Sequence, residues 1–270
     1  MVDELSAGHD VIALDRAALD VTDAPATLSL LARLAPSAIV NCMGYNAVDA
    51  AETHPVEAIR VNAIAVRTLA RAAAENEAAF VHFSSDFVFD GRGTEPYVEA
   101  DPPNPASVYA TSKLLGEWLA ADAPRAYVLR VESLFGRGMT GVDRGSVAMI
   151  VSSLRSGKEP TVFSDRTVSP TYVIDASRAT RRLLEERMPP GIYHCVSSGH
   201  CTWLEFAEEA ARQLGVAPKV RAVRMSDVNL PAARPQYCAL SNAKLAALGI
   251  AMPSWQDALG RYLKLTAVGP

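Results

Sequence analysis

The sequence predicts a doubly wound α/β protein, with a parallel sheet covered by helices on both faces and a smaller, irregular C-terminal lobe. Three observations carry that prediction. Short β-branched or aliphatic runs alternate with longer amphipathic segments, the rhythm of strand–helix–strand units. Each run is apolar on both faces rather than at alternate positions, as parallel strands buried between helices must be. After about residue 135 the rhythm loosens and Gly and Pro become frequent.

Taken in order, "MVDELSAGHDV" reads as the last turns of a helix, with Gly8 as its C-cap. "VIALD" (11–15) and "AIVNC" (38–42) are strand runs. "PVEAIRVNAIAVRTLARAAAEN" (55–76) is a helix: Ile59, Val66, Leu69 and Ala73 recur at helical spacing and Pro55 suits a first turn. "AFVHFS" (79–84) and "AYVLRV" (126–131) are further strands, separated by the helical "VYATSKLLGEWLA" (108–120). Beyond residue 135, "PTVF", "GIYHCV" and "KVRAV" are isolated strand candidates and "TWLEFAEEAARQLG" is a helix.

Composition excludes several function classes. The chain has 270 residues, 49% hydrophobic, with a net charge of −4. That describes a soluble globular protein with room for a large core. Nucleic-acid binding is not expected, since it shows as a clustered basic surface. No apolar run approaches the ~20 residues that span a bilayer, and the polar opening carries no secretory signal. Four scattered cysteines suit a reducing cytosol, so a cytoplasmic location is expected. "YHCVSSGHC" offers His194, Cys195, His200 and Cys201 as zinc ligands. They come as adjacent pairs, whose side chains point to opposite faces of a strand. Zinc ligands are spaced two to four residues apart, so no metal is expected.

"FGRGMTG" (135–141) contains Gly-x-Gly-x-x-Gly. The pattern cradles a pyrophosphate only on the first strand-to-helix turn of a βαβ unit. Here it follows a late strand and leads into "VDRGS", so it is a decoy, expected in a loop facing the substrate.

The chemistry concentrates elsewhere. Tyr109 and Lys113 stand four apart in the 108–120 helix, so both project from one face. A lysine ammonium beside a phenol favours the phenolate, which predicts a tyrosine pKa drawn below its ~10 reference. Such a tyrosine can protonate an oxygen that is gaining charge. "FSSDFVFDG" sets Ser84, Ser85 and Asp86 at the C-terminal end of a strand, the edge where open α/β sheets bind ligands.

"FSSDFVFDG" followed by "YVEADPPNPASVYATSKLLGE" resembles the extended short-chain dehydrogenases/reductases, more narrowly the dTDP-4-dehydrorhamnose reductase group. "VNCMGYNAVDAAE", "SPTYVID" and the ending "RPQYCALSNAKLAALGIAMPSWQDAL" extend the likeness over nearly the whole chain. The resemblance implies a Rossmann-like fold and an NADPH- or NADH-dependent reduction of the C4 ketone of a nucleotide-linked deoxysugar. It implies Ser85, Tyr109 and Lys113 as catalytic residues, Lys113 also holding the nicotinamide ribose. Asp15 would read the adenosine ribose, Asp20 and Val21 would line the adenine, and Cys42, Met43 and Gly44 would form the strand end against the cofactor. Asp86 and Ser133 would join Ser85 in binding substrate.

The division implied is 1–135 for the cofactor and 136–270 mainly for the substrate, with 136–190 partly returning to the first part. A homodimer is also expected. Two departures concern the sugar: Phe87 lacks a phenol hydroxyl, and "RVES" (130–133) puts Ser133 at the sugar-stacking tryptophan position. Phe87 also cannot supply the proton that dehydratases need. The group's glycine fingerprint would precede "VIALD", so the first strand and phosphate loop are expected to lie outside this sequence. "VIALD" and "AFVHFS" would then keep open edges, and the chain alone would be marginally folded or associate through its sheet. Two other readings share the fold: a regulatory subunit like the methionine adenosyltransferase beta subunit, and a sugar-nucleotide epimerase.

Overall fold

The computed structural model describes residues 1–137 and 145–267. Its centre is a four-stranded parallel sheet in the order β1 (Ala38–Asn41), β2 (Ala79–Ser85), β3 (Ala126–Val131) and β4 (Gly191–His194). Helices α1 (Ala24–Leu34), α2 (Ala65–Glu75) and α3 (Val108–Ala120) cover one face, and α4 (Val173–Glu185) covers the other.

The period of two along a strand decides which side chain meets which layer. Ala79 and Val81 of β2 and Tyr127 and Leu129 of β3 pack with Ala176, Ala179 and Leu183 of α4. Ile39, Phe80 and Val128 point the other way, into a core with Leu31, Val66, Leu69 and Ala73. The same parity carries Asn41, His82, Ser84 and Arg130, towards the C-terminal ends of the strands, to the α3 side. All four are buried. An apolar core thus gives way to polar side chains along one sheet face without any change of register.

A second core lies beyond residue 134. Helices Ser146–Arg155, α5 (Trp203–Leu214) and α6 (Trp255–Ala267) enclose Phe135, Tyr172, Phe206 and Tyr262. Thr202 and Glu205 form a capping box at the start of α5, and Gly215 closes it in the left-handed conformation.

Several expectations are corrected. Residues 11–15 form no strand; Ile12 and Leu14 are exposed, and Asp15 Oδ1 accepts from the backbone N–H groups of Ala17 and Ala18. An apolar run becomes a strand only where a neighbour completes its ladder, and no described residue pairs with this one. The open edge expected on "AFVHFS" is closed, because β2 lies between β1 and β3. Ser6, not Gly8, caps the first helix, Val2–Leu5. That helix is far too short to stand alone, but Leu5 is buried and Glu4 pairs with Arg181 of α4 at 2.9 Å. "GIYHCV" joins the central sheet through β4.

The 55–76 helix is less regular than its periodicity suggests. It runs as α (Pro55–Ile59), then one π turn (Arg60–Ile64), then α2. The π turn meets α3 at Gly116, where a Cβ would lie 2.2 Å from the Asn62 carbonyl oxygen. Only glycine permits that approach. Gly116→Ala must push the two helices apart and is expected to cost about 1–3 kcal/mol, measured as a lowered denaturant midpoint at unchanged slope.

Candidate active site

Helix α3 begins where Ser107 accepts a hydrogen bond from the N–H of Ala110 and Glu52 accepts one from the N–H of Val108. From there Tyr109, Lys113 and Glu117 follow at intervals of four, on one face, and all three are buried. Lys113 Nζ donates to the carbonyl oxygen of Phe83 at 2.5 Å. Glu117 accepts from Arg130 Nε and Nη2 at 2.9 and 2.8 Å, a bidentate pair, and from the Ser84 hydroxyl at 2.5 Å. Arg130 also lies over the Phe89 ring, 4.9 Å from its centroid. Its Nη1 is 3.4 Å from His194 Nε2. Burial, then the adjacent Arg130 charge, pushes the His194 pKa down to about 3. The ring is therefore neutral; Nδ1–H donates to the Tyr97 carbonyl at 3.0 Å and Nε2 is left as an acceptor towards Arg130.

The end of β2 brings Ser85 and Asp86 to the Tyr109 end of this face. Ser85 Oγ donates to Asp86 Oδ1 at 2.9 Å and accepts from the N–H of Phe87 at 3.2 Å. The Phe87 ring meets Tyr109 edge-on, with centroids 5.4 Å apart. Burial pushes the Tyr109 phenol up to about 12, the Asp86 charge adding to the rise and the Ser85 hydroxyl opposing it. The downward shift read from the Tyr–Lys spacing is thus corrected: Lys113 donates to the Phe83 carbonyl, and burial of the phenol wins. Lys113 itself is lowered to about 8 by burial, against the pull of Glu117. At neutral pH the tyrosine is a protonated donor and the lysine a cation.

The residues expected along the cofactor form a separate group. Met43 packs in one apolar cluster with Leu19, Val21 and Ala65. Asp20 is exposed, and its carboxylate accepts from the N–H and hydroxyl of Thr22, which lowers its pKa. Cys42 is exposed, and Gly44 follows Met43, whose N–H donates to Asn41 Oδ1. Asp15 stands on an exposed turn rather than at a strand end. Gly138 and Gly141 of the glycine-rich decoy lie outside the described residues.

Sequence reasoning missed the neighbours of Asp86. Glu132, Arg166 and Cys238 converge on it, with a carboxylate oxygen of Asp86 and of Glu132 and the Cys238 sulfur all within 4.8 Å of one another. Ser133, at φ +40°, donates to Glu132 Oε1 at 2.5 Å, and the N–H of Ser169 donates to Oε2. Asn62, in the π turn, was missed too: it brackets the Tyr45 backbone and donates to Ser112 Oγ at 2.9 Å, which donates to the Tyr109 carbonyl. No signal in the sequence marks Asn62: it falls mid-way in the 55–76 helical pattern, which does not reveal the π turn at Arg60–Ile64.

A tyrosine and a lysine one helical turn apart, held against the end of a central parallel strand that carries a serine, is the arrangement of the extended short-chain dehydrogenases/reductases. Fold and site together put the chain in that class. More narrowly, the chain belongs to the RmlD substrate binding domain family, whose profile matches residues 1–268. It is 36% identical to a probable dTDP-4,6-dihydroxy-2-methyloxan-3-one 4-ketoreductase of Streptomyces antibioticus, over 93% of this chain and 85% of that one. A dTDP-4-dehydrorhamnose reductase of Clostridium acetobutylicum superposes with a TM-score of 0.91 at 31% identity, covering 98% of this chain and 95% of that one. The same-named enzyme of Bacillus anthracis, solved in complex with NADP, gives 0.90 at 28% identity, covering 96% and 92%.

Removing one partner of a buried ion pair leaves the other charge uncompensated and costs about 3–5 kcal/mol. Glu117→Gln keeps the shape of the side chain and abolishes its charge. It is expected to lower unfolding free energy by about 3 kcal/mol, read from chemical denaturation, whereas exposed Glu57→Gln leaves it unchanged.

Proposed function

We propose that this chain reduces the C4 ketone of a dTDP-linked deoxysugar, using NADPH or NADH, with Tyr109 as the proton donor. One observation carries the reading: a phenol held protonated by burial lies beside a strand-end serine, one helical turn from a buried lysine cation. The named relatives support it, since the Streptomyces and Clostridium proteins differ in sugar and share 4-keto reduction of a dTDP sugar.

The donors present fit a nicotinamide cofactor. Lys113 Nζ has three hydrogens and one hydrogen bond among the described residues, to Phe83, so two donors are left for ribose hydroxyls. The apolar cluster of Leu19, Val21 and Met43 suits an adenine, with Asp20 beside it, Asp15 towards the adenosine ribose and Cys42 and Gly44 along the strand end. When bound, the cofactor supplies the hydride. Ser85 holds the ketone oxygen, Tyr109 gives that oxygen its proton, and Lys113 keeps the developing phenolate next to a positive charge. Asp86 and Ser133 would border the sugar, and Phe87, beside Tyr109, offers no hydroxyl there. No helix among the described residues is long and apolar enough to cross a membrane, in keeping with a nucleotide-sugar substrate met in water.

Tyr109→Phe keeps the ring against Phe87 and removes the acidic proton. Turnover of a dTDP-4-keto-6-deoxysugar, followed as loss of NADPH absorbance, should fall by about 10²-fold or more. The fall should lie in kcat, with KM little changed. Near-normal turnover in that variant would overturn the role of Tyr109.

A further inference from the structure

We propose that Asp86 and Glu132 share one proton at neutral pH, and that this pair is the proton store that recharges Tyr109 through the Ser85 hydroxyl. The proposal rests on the reductase reading above for its second half and on the geometry of the free protein for its first.

Both carboxyls are buried, at 3% and 2% exposure, and their oxygens approach within 4.8 Å. Two carboxylates so close, out of water, do not both ionise at ordinary pH. Asp86 Oδ1 is occupied by the Ser85 hydroxyl, while Oδ2 is buried with no hydrogen-bond partner among the described residues. The two carboxyls make no hydrogen bond to each other; the buried Oδ2 of Asp86, with the Cys238 thiol and the second carboxyl close by, is where the pair's one proton would reside. Glu132 cannot turn away, because Ser133 Oγ and the N–H of Ser169 hold its two oxygens.

The charged and titratable groups around the pair come from four other elements. Arg166, partly buried, lies over the Phe87 ring at 5.5 Å and donates to Cys238 Sγ at 3.6 Å. Burial works against its charge, but Cys238, Asp86 and Glu132 outweigh burial and hold its pKa above the ordinary value. Cys238 and Cys201 both face Glu132, and burial raises both thiols well clear of ionisation. Tyr109 faces Asp86 from α3. One cation therefore stands against two carboxyls, and among the described residues no other group in contact supplies a second positive charge. Burial raises the pKa of both acids, Glu132 to about 8 with the Asp86 charge adding to it.

The proton balance closes. When Tyr109 gives its proton to the ketone oxygen that has received the hydride equivalent on carbon, a phenolate forms. The Ser85 hydroxyl turns from Asp86 to the phenolate and yields its proton, and the Asp86 carboxyl, rotated to bring its O–H to Ser85, gives the serine oxygen a proton in exchange. The phenolate of a phenol at about 12 is a stronger base than a carboxylate, so transfer from a carboxyl runs downhill. The pair is left with two negative charges, one of them facing Arg166, until it regains a proton from water.

The first half is tested on the protein without cofactor or substrate. Infrared spectra at pH 7 should show the carbonyl band of a protonated buried carboxyl, lost above pH 9. Glu132→Gln should abolish it, because Asp86 alone beside Arg166 ionises; Asp86→Asn should do the same and serves should the first variant fold poorly. No such band in the wild type would overturn the shared proton. The second half is read from the alkaline limb of kcat. Glu132→Gln should move that limb down by at least one pH unit, with KM for the sugar nucleotide within twofold of wild type. A limb that stays in place belongs to Lys113 and would overturn the relay. A wild-type protein with the band and no reductase activity would refute the function proposed above and leave the shared proton standing.

Discussion

The geometry of the sheet edge depends on one buried ion pair, Glu117 with Arg130. Each charge is 4% exposed or less, so each is tolerable only while it faces the other. Their bidentate contact fixes α3 against β3 in both height and rotation. The Ser84 hydroxyl ties the same carboxylate to β2, and Phe83 ties Lys113 there. With the helix fixed at Glu117, its own pitch sets Lys113 one turn away and Tyr109 two turns away. A side chain with no part in the proposed chemistry thereby places the ones that have it. Gly116, beside it in sequence, lets the other flank of α3 close on the π turn.

Much of this was legible in the sequence, for physical reasons that differ by element. β1, β2 and β3 could be read because strands covered on both faces are apolar throughout. The face shared by Tyr109 and Lys113 follows from helical pitch alone. Ser85 and Asp86 were found because they stand at the end of an apolar run. What escaped depends on contacts distant in sequence. "VIALD" has the composition of a strand and no partner in the sheet. The Tyr109 shift has the opposite sign from that read off its spacing to Lys113, because burial is not encoded in spacing. Glu132, Arg166 and Cys238 look unrelated along the chain and meet only after the second lobe folds back. Each would be an unremarkable polar residue on a surface; burial gives them chemistry.

The segment ahead of the last helices is tied to the rest of the chain through backbone and side chain alike. The segment around "RPQYCAL" receives or gives main-chain hydrogen bonds at Gly91, Tyr97 and Thr167. Arg234 grips the Asp49 carboxylate with both nitrogens at 2.9 and 2.8 Å, and Asp49 sits just before the glutamate that caps α3. The distinctive ending of the chain is therefore a strap across the site's rim. Its sequence is recognisable because a strap that bonds through backbone needs particular turns at particular places.

The π turn at Arg60–Ile64 has a further consequence. Such a turn holds one residue more than an α ladder accommodates, and that surplus is what carries Asn62 to the Tyr45 backbone and to Ser112. Deleting any single residue there would close the segment into one continuous helix, because a π turn takes up its surplus residue with little rotation of the flanking halves. The shortened chain would own the better helix and lose the brace. Local helix regularity and the contacts of Asn62 thus make opposite demands on this segment, and the π turn is the geometry that meets the second.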